Sequence, residues 1–307
     1  MIYDRPAGWA EEGESEMTGM EFGPNEGNVP RAGEENPRGG GEGPYPAIRG
    51  DALEGLLRRA LRSGGFEVYY QPLCNVTDGK FTEAEALLRL RDESGAYVPP
   101  EEFIPVAEST GLIVEIGCMV LRKVCFYLKH LLSCRIDVDS ISVNLSVVQL
   151  MRDDAVPRLL GIIRESGVSP NRILFEVTES ILISNYGLIA RRIRELSEAG
   201  VQFALDDFGT GYSNFSHVID LPFDAVKIDK SLIWDSMENR KCSIMIRDLT
   251  RTFKNMNMTV TAEGVETPEH DRFVRLCGCD RIQGFRYARP MPESRAVDYF
   301  GRAAVMQ

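Results

Sequence analysis

Beyond residue 50, short apolar runs alternate with longer stretches whose apolar positions recur every three to four residues. The first such stretch, 51–62, sets Leu53, Leu56, Leu57 and Leu61 on one face, the spacing of an amphipathic helix. Two β-rich runs follow at 66–71 and 82–90. About ten residues separate them, fewer than a parallel crossover needs, so this pair is predicted antiparallel. Thereafter each strand-like run is followed by a helical one. Strands are predicted at 141–144, 173–176, 203–206, 225–228, 259–262 and 281–284. The clearest helices fall at 115–132, 156–166, 188–199, 242–255 and 268–276. Eight strands alternating with helices over about 250 residues predict an α/β fold, a (β/α)8 TIM-like barrel with its first strand antiparallel to the others. A doubly wound open sheet is the competing topology. It usually carries a glycine-rich phosphate loop after its first strand, and Gln71-Pro72-Leu73-Cys74 is nothing like one.

The apolar strands repeatedly run into a polar residue. The series is Glu85, Asn144, Glu176, Asp206 with Asp207, Lys227, Glu263 and Gln283. The C-terminal ends of parallel barrel strands converge on one mouth, where catalytic residues collect. So many acids at one opening call for cations. Oxygen donors favour Mg²⁺, Mn²⁺ or Ca²⁺ over zinc. Taken singly, each residue has a plainer reading: a Glu on a salt-bridged rim, Asp206-Asp207 as turn chemistry, Lys227 as a partner for Asp229. Their recurrence at successive strand ends is what points to a site. Next to the paired aspartates, Gly209 and Gly211 with Thr210, Tyr212 and Ser213 have the composition of a lid loop.

Composition sharpens the boundaries. Residues 1–50 hold 11 of the 28 Gly and 6 of the 16 Pro, with 10 acidic residues against 4 basic ones. Such a segment has too little apolar surface to offset its ordering entropy, so 1–50 is expected to be a disordered tail and 51–307 the barrel domain. The whole chain carries a net charge of −11, which argues against a surface for duplex DNA or RNA. No run approaches 18 consecutive apolar residues, so no membrane segment is expected. Seven cysteines without an export signal read as reduced thiols and a cytoplasmic setting. With His only at 130, 217 and 270, a zinc site has little to build on.

In this order, the motifs resemble the EAL-domain cyclic di-GMP phosphodiesterases. They are Tyr70-Gln71-Pro72, Glu85-Ala86-Leu87-Leu88-Arg89, Phe103-Ile104-Pro105 with Ala107-Glu108, and Val143-Asn144-Leu145-Ser146. They continue with Phe175-Glu176-Val177-Thr178-Glu179, Asp206-Asp207-Phe208-Gly209, Lys227-Ile228-Asp229, Glu263-Gly264-Val265-Glu266 and Gln283-Gly284-Phe285. The resemblance implies hydrolysis of cyclic di-GMP to linear pGpG by two Mg²⁺ or Mn²⁺ ions. It implies that Glu85, Asn144, Glu176 and Asp206 hold one metal, and that Asp206 and Asp207 hold the second. Glu263 would be the general base or a further metal contact, and Lys227 would orient the water. Gln71, Arg89, Glu266 and Gln283 would contact substrate, and Glu179 would brace the lid loop. The resemblance also implies a homodimer through the helices beside the lid. The sequence departs from the family pattern at Leu90, Asn214 and Arg289, none of them a metal ligand. Ca²⁺ is expected to admit substrate yet block hydrolysis, because its metal–oxygen distances are longer and it is a weaker Lewis acid. Two rivals stand beside the enzyme: a catalytically silent cyclic di-GMP receptor, and a hydrolase of another phosphodiester.

The composition of the tail yields a first test. Removing residues 1–48 is expected to leave turnover unchanged and to move Tm by less than about 4 °C, read by calorimetry. A larger fall would show that the tail packs on the barrel.

Overall fold

The computed structural model describes residues 50–136, 138–178, 185–210 and 215–300. Residues 1–49 of the predicted tail, Glu179 and the lid residues 211–214 lie outside the described residues, and Gly50, placed in the tail by composition, begins the helix Gly50–Ser63. The strands are β1 (Phe66–Asn75), β2 (Phe81–Arg91), β3 (Tyr97–Val98), β4 (Ser140–Asn144) and β5 (Ile173–Thr178). They continue as β6 (Gln202–Phe208), β7 (Ala225–Ile228), β8 (Thr259–Ala262), β9 (Arg281–Ile282) and β10 (Met291–Pro292). β1 pairs with both β2 and β9 and so closes eight strands into a barrel. It is antiparallel to both neighbours, whereas the pairings from β2 through β4 to β9 are all parallel. This is the barrel with a reversed first strand that the hydrophobic pattern predicts. β3 and β10 are short additions on the edges of β2 and β1.

The reversal of β1 is local chemistry. Asn75 Oδ1 accepts from the Thr77 amide at 2.9 Å, Asp78 Oδ1 accepts from the Lys80 amide at 3.0 Å, and Gly79 takes φ +70°. This tight turn returns the chain directly beside itself, which only antiparallel pairing permits.

Inside the barrel, side chains alternate with period two. Ser140 and Ser142 on β4, Leu174 and Glu176 on β5, Gln202 and Ala204 on β6, Ala225 and Lys227 on β7, and Thr259 and Thr261 on β8 line one internal void of about 80 Å³. The alternate positions, including Val143, Phe175, Phe203, Leu205, Val226 and Val260, form the core between sheet and helices. The same inward row, continued toward the C-terminal ends, carries Asp206 on β6 and reaches Glu263 just past β8. The fold thereby delivers the strand-end series to one mouth.

The helices cover the outside. Ile113–Ser133 has the most apolar surface, and twelve of its residues are buried against the barrel. Among the described residues no single helix is long and apolar enough to cross a membrane, although Pro100–Ser109 and Ile113–Ser133 pass that test together as a pair bent by 120°.

Close packing at one glycine locks β9 to the segment after β8. A Cβ on Gly284 would stand 2.1 Å from Val265 O and 2.4 Å from Val265 N, both backbone atoms that cannot swing aside. Gly284→Ala is expected to lower stability by about 1–3 kcal/mol, the usual range for overpacking. A fall in the urea midpoint at unchanged m-value would show it; an unmoved midpoint would refute the close contact.

Candidate active site at the barrel mouth

Lys227 is the centre of the mouth. Its side chain is 3 % exposed, and its Nζ lies 3.2 Å from Glu85 Oε2, 3.0 Å from Glu176 Oε1, 3.0 Å from Asp206 Oδ1 and 2.8 Å from Glu263 Oε1. Each acid comes from a different part of the sheet: β2, β5, β6 and the residue after β8. An ammonium has three hydrogens and cannot satisfy four carboxylates at once. Asp206 Oδ1 is accordingly close to Nζ yet without a hydrogen bond, and Glu176 Oε2 is likewise buried without a donor.

Amides complete the ring. Gln283 Nε2 donates to Glu85 Oε2 at 2.7 Å and to Gln71 Oε1 at 3.0 Å, while Gln71 Nε2 donates to Ala288 O at 3.0 Å. Asn144 Nδ2 donates to Glu85 Oε1 at 3.1 Å. Register explains the meeting: Gln71 is paired with Glu85 across β1 and β2, and Asn144 with Glu176 across β4 and β5.

Asp206 and Asp207 are adjacent, and in a regular strand they would face opposite sides. The β6–β7 ladder shifts register between Leu205 and Phe208, and Asp207 takes φ +54°, a left-handed conformation unusual for a residue other than glycine. The irregularity turns both carboxylates to the mouth. Asp206, Asp207 and Glu263 each offer an oxygen within 4.8 Å of the others.

The charges settle unequally. Burial alone would raise the Glu85 carboxyl, but Lys227, Gln283 and Asn144 outweigh it and hold the group below its ordinary value. Glu176 has the opposite fate: burial and the neighbouring Glu85 push it well up. Burial also raises Glu263, to about 8 against the pull of Lys227, and raises Asp207 with help from Asp206. Lys227 would be depressed by burial, yet Asp206, Glu176, Glu263 and Glu85 drive it well above its ordinary value. The mouth thus has more acids than its one buried cation can balance. Oxygen donors, two of them orphaned, fit hard divalent cations.

Two cavities flank the acids. One, of about 310 Å³, is lined by Gln71, Glu85, Asp206, Asp207, Lys227, Lys230, Trp234, Glu263, Glu266, Gln283 and Phe285. The other, of about 480 Å³, is mostly apolar and is lined by Arg89, Ile104, Glu108, Ile113, Val143, Asn144 and Glu176. Leu87 borders both.

The sequence profile of the EAL domain matches residues 55–290. The chain belongs to the EAL domain family. Among curated relatives, an uncharacterized signaling protein of Caulobacter vibrioides is 37% identical over 241 residues, covering 77% of this chain and 29% of that protein. The cyclic di-GMP phosphodiesterase NbdA of Pseudomonas aeruginosa is 33% identical over 251 residues, covering 82% of this chain and 32% of that protein. The chain spans about a third of the length of these curated relatives. Among solved structures, the MucR phosphodiesterase in complex with c-di-GMP superposes with a TM-score of 0.75 at 32% identity, covering 80% of this chain and 99% of that one.

Within this EAL domain, the structure brings Glu85, Glu176, Asp206, Asp207, Lys227, Glu263, Gln71 and Gln283 into one cluster, with Asn144 on its rim. Glu266 is exposed at the wall of the smaller cavity. Arg89 stands apart, in the larger cavity; its Nη1 donates to Leu88 O at 2.9 Å, and its guanidinium lies 5.6 Å from the Tyr69 ring centroid. Asp229 does not pair with Lys227. Its carboxylate instead caps the helix Lys230–Glu238, accepting from the Ser231 amide at 2.8 Å. Lys230, Trp234 and Phe285 line the mouth without having been marked by the strand-end pattern. Phe285 is in the Gln283-Gly284-Phe285 motif, but Lys230 and Trp234 lie on a helix whose sequence gives no such signal.

Proposed function

We propose that this EAL domain hydrolyses cyclic di-GMP to linear pGpG with two divalent cations, Mg²⁺ or Mn²⁺, in bacterial cytoplasmic second-messenger signalling. The observation that carries the reading is the charge balance of the mouth: one buried ammonium among four carboxylates, with Glu176 Oε2 and Asp206 Oδ1 buried and without a hydrogen bond. The names of relatives support the substrate: NbdA is a cyclic di-GMP phosphodiesterase, and the MucR phosphodiesterase was solved with c-di-GMP.

Glu85, Asn144, Glu176 and Asp206 would hold one cation, and Asp206 with Asp207 the second. Such a pair, when bound, supplies Lewis acidity and a water of lowered pKa. The chain's own residues bind and orient around it. Lys227 offsets negative charge and holds Glu263, which accepts the proton of the attacking water. Gln71, Gln283 and Glu266 face substrate in one cavity and Arg89 in the other. Two cavities on either side of the acids suit a ligand that carries two bases on one phosphodiester ring. Glu179 is proposed to brace the loop after Asp207, and the working form is proposed to be a homodimer. Ca²⁺ is proposed to enter the same oxygen sites and to permit binding without turnover.

Incubation with cyclic di-GMP and Mg²⁺, with chromatography of the products, tests the reading. Linear product supports it; tight binding without product would make the chain a receptor, and turnover of other phosphodiesters alone would displace the substrate. Asp206→Asn is expected to leave less than about a tenth of the rate, since it removes an anionic donor from both proposed cation sites. Glu263→Gln is expected to slow turnover by about 10²–10⁴ while calorimetry still records substrate binding. Loss of binding together with activity would make Glu263 a structural or essential metal residue.

A further inference from the structure

Glu263 stands just past the end of β8. Its amide donates to Ile228 O at 3.1 Å, and the amide of Val265 donates to Gln283 O at 3.1 Å. Between them lies Gly264, at φ +62°. The Gly264 carbonyl accepts one side-chain hydrogen bond, from Trp234 Nε1–H at 2.8 Å. Trp234 is on the helix Lys230–Glu238, which begins directly after β7 and the Asp229 cap. The strand that presents Lys227 therefore continues into the helix that presents Trp234. This unit grips Glu263-Gly264 twice: Lys227 Nζ is 2.8 Å from Glu263 Oε1, and the indole holds the next carbonyl.

The grip is close and its own geometry is fixed. A Cβ on Gly264 would stand 2.3 Å from Lys230 Cβ and 3.3 Å from Trp234 Nε1. The His270 ring lies nearly parallel to the indole, at 27° with centroids 6.5 Å apart. Yet Trp234 is 42 % exposed, so core packing does not account for its placement.

We infer that Trp234 is a positioning residue: its indole N–H fixes the Gly264–Val265 peptide, one residue past Glu263, and thereby aims the Glu263 carboxylate at the reacting centre. The inference rests on the phosphodiesterase reading and deepens it. A group misplaced by a fraction of an ångström loses much of its catalytic effect, and one hydrogen bond of this kind is worth a few-fold to about tenfold.

Trp234→Phe tests it, because it removes the N–H and keeps a ring in place. The expected result is a fall of about 5–10-fold in kcat with KM for cyclic di-GMP within about twofold. Amide exchange at residues 263–265 is expected to quicken, with Tm within about 2 °C of the parent. A wild-type kcat in the variant would overturn the inference. So would an unchanged kcat with a raised KM, which would make the ring a substrate shelf. Should the parent chain itself give no product, the phosphodiesterase reading falls alone; the exchange measurement still decides the inference, and unchanged exchange at 263–265 overturns it.

Discussion

The contact of the buried Lys227 ammonium with four carboxylates is the constraint around which the barrel mouth is arranged. A lone ammonium in so dry a place would give up its proton; here the surrounding acids keep it charged. The acids come from β2, β5, β6 and the end of β8, so the cluster depends on four separate registers. A one-residue slip in any of these strands would turn its acid outward and leave Lys227 under-compensated. The converse also holds. Negative charge exceeds positive charge at the mouth, so the cluster is a poor source of stability on its own. Its composition makes sense as a receptor for further positive charge, and the oxygens Glu176 Oε2 and Asp206 Oδ1 are left without a hydrogen bond there.

Backbone irregularity does a share of this work. Period-two alternation gives each strand one inward residue per layer, which suffices for Glu85, Glu176 and Lys227. Two consecutive aspartates cannot both face inward without a break, and the register shift with the left-handed Asp207 is that break. A conformation of this kind costs of order 1–3 kcal/mol unless its surroundings impose it. Among the described non-glycine residues of the barrel strands, only Asp207 takes a left-handed φ, and its location at the densest concentration of acid ties the strain to the site.

The strands were legible because each is a short apolar run bounded by turn chemistry, and the long helices because their apolar stripe is wide. Boundaries moved by a few residues: β1 extends to Asn75, β6 to Phe208, and β9 stops at Ile282. Helix Pro100–Ser109 escaped the pattern because Pro105 interrupts its interior. Helix Lys230–Glu238 escaped because two turns give little periodic signal. The site divides along the same line. Residues at strand ends, from Glu85 to Gln283, stand out against apolar runs. Lys230 and Trp234 do not, since a helix shows polar and aromatic residues on its open face for many reasons. Arg89 illustrates a different limit: its motif marks it, but only three-dimensional packing reveals that it serves the larger cavity and not the one around Glu263.

The lower barrel explains why the mouth can hold so many long side chains. Many of the inward positions beneath Lys227 are small or short, namely Ser140, Ser142, Ala204, Ala225, Thr259 and Thr261, and they stand beside the longer Leu73, Glu83, Leu174 and Gln202. Barrel interiors are more often filled by bulky branched residues. Here Lys227 and Glu176 both border the void of about 80 Å³ that remains. Larger residues below would compete for the same volume, and a close-packed interior would force the ammonium upward, out of reach of the acids that keep it charged. The small residues of one layer and the charged residues of the next are therefore a single solution. The barrel forgoes part of the apolar filling in its interior so that a buried lysine can sit at the level where four strands present their acids.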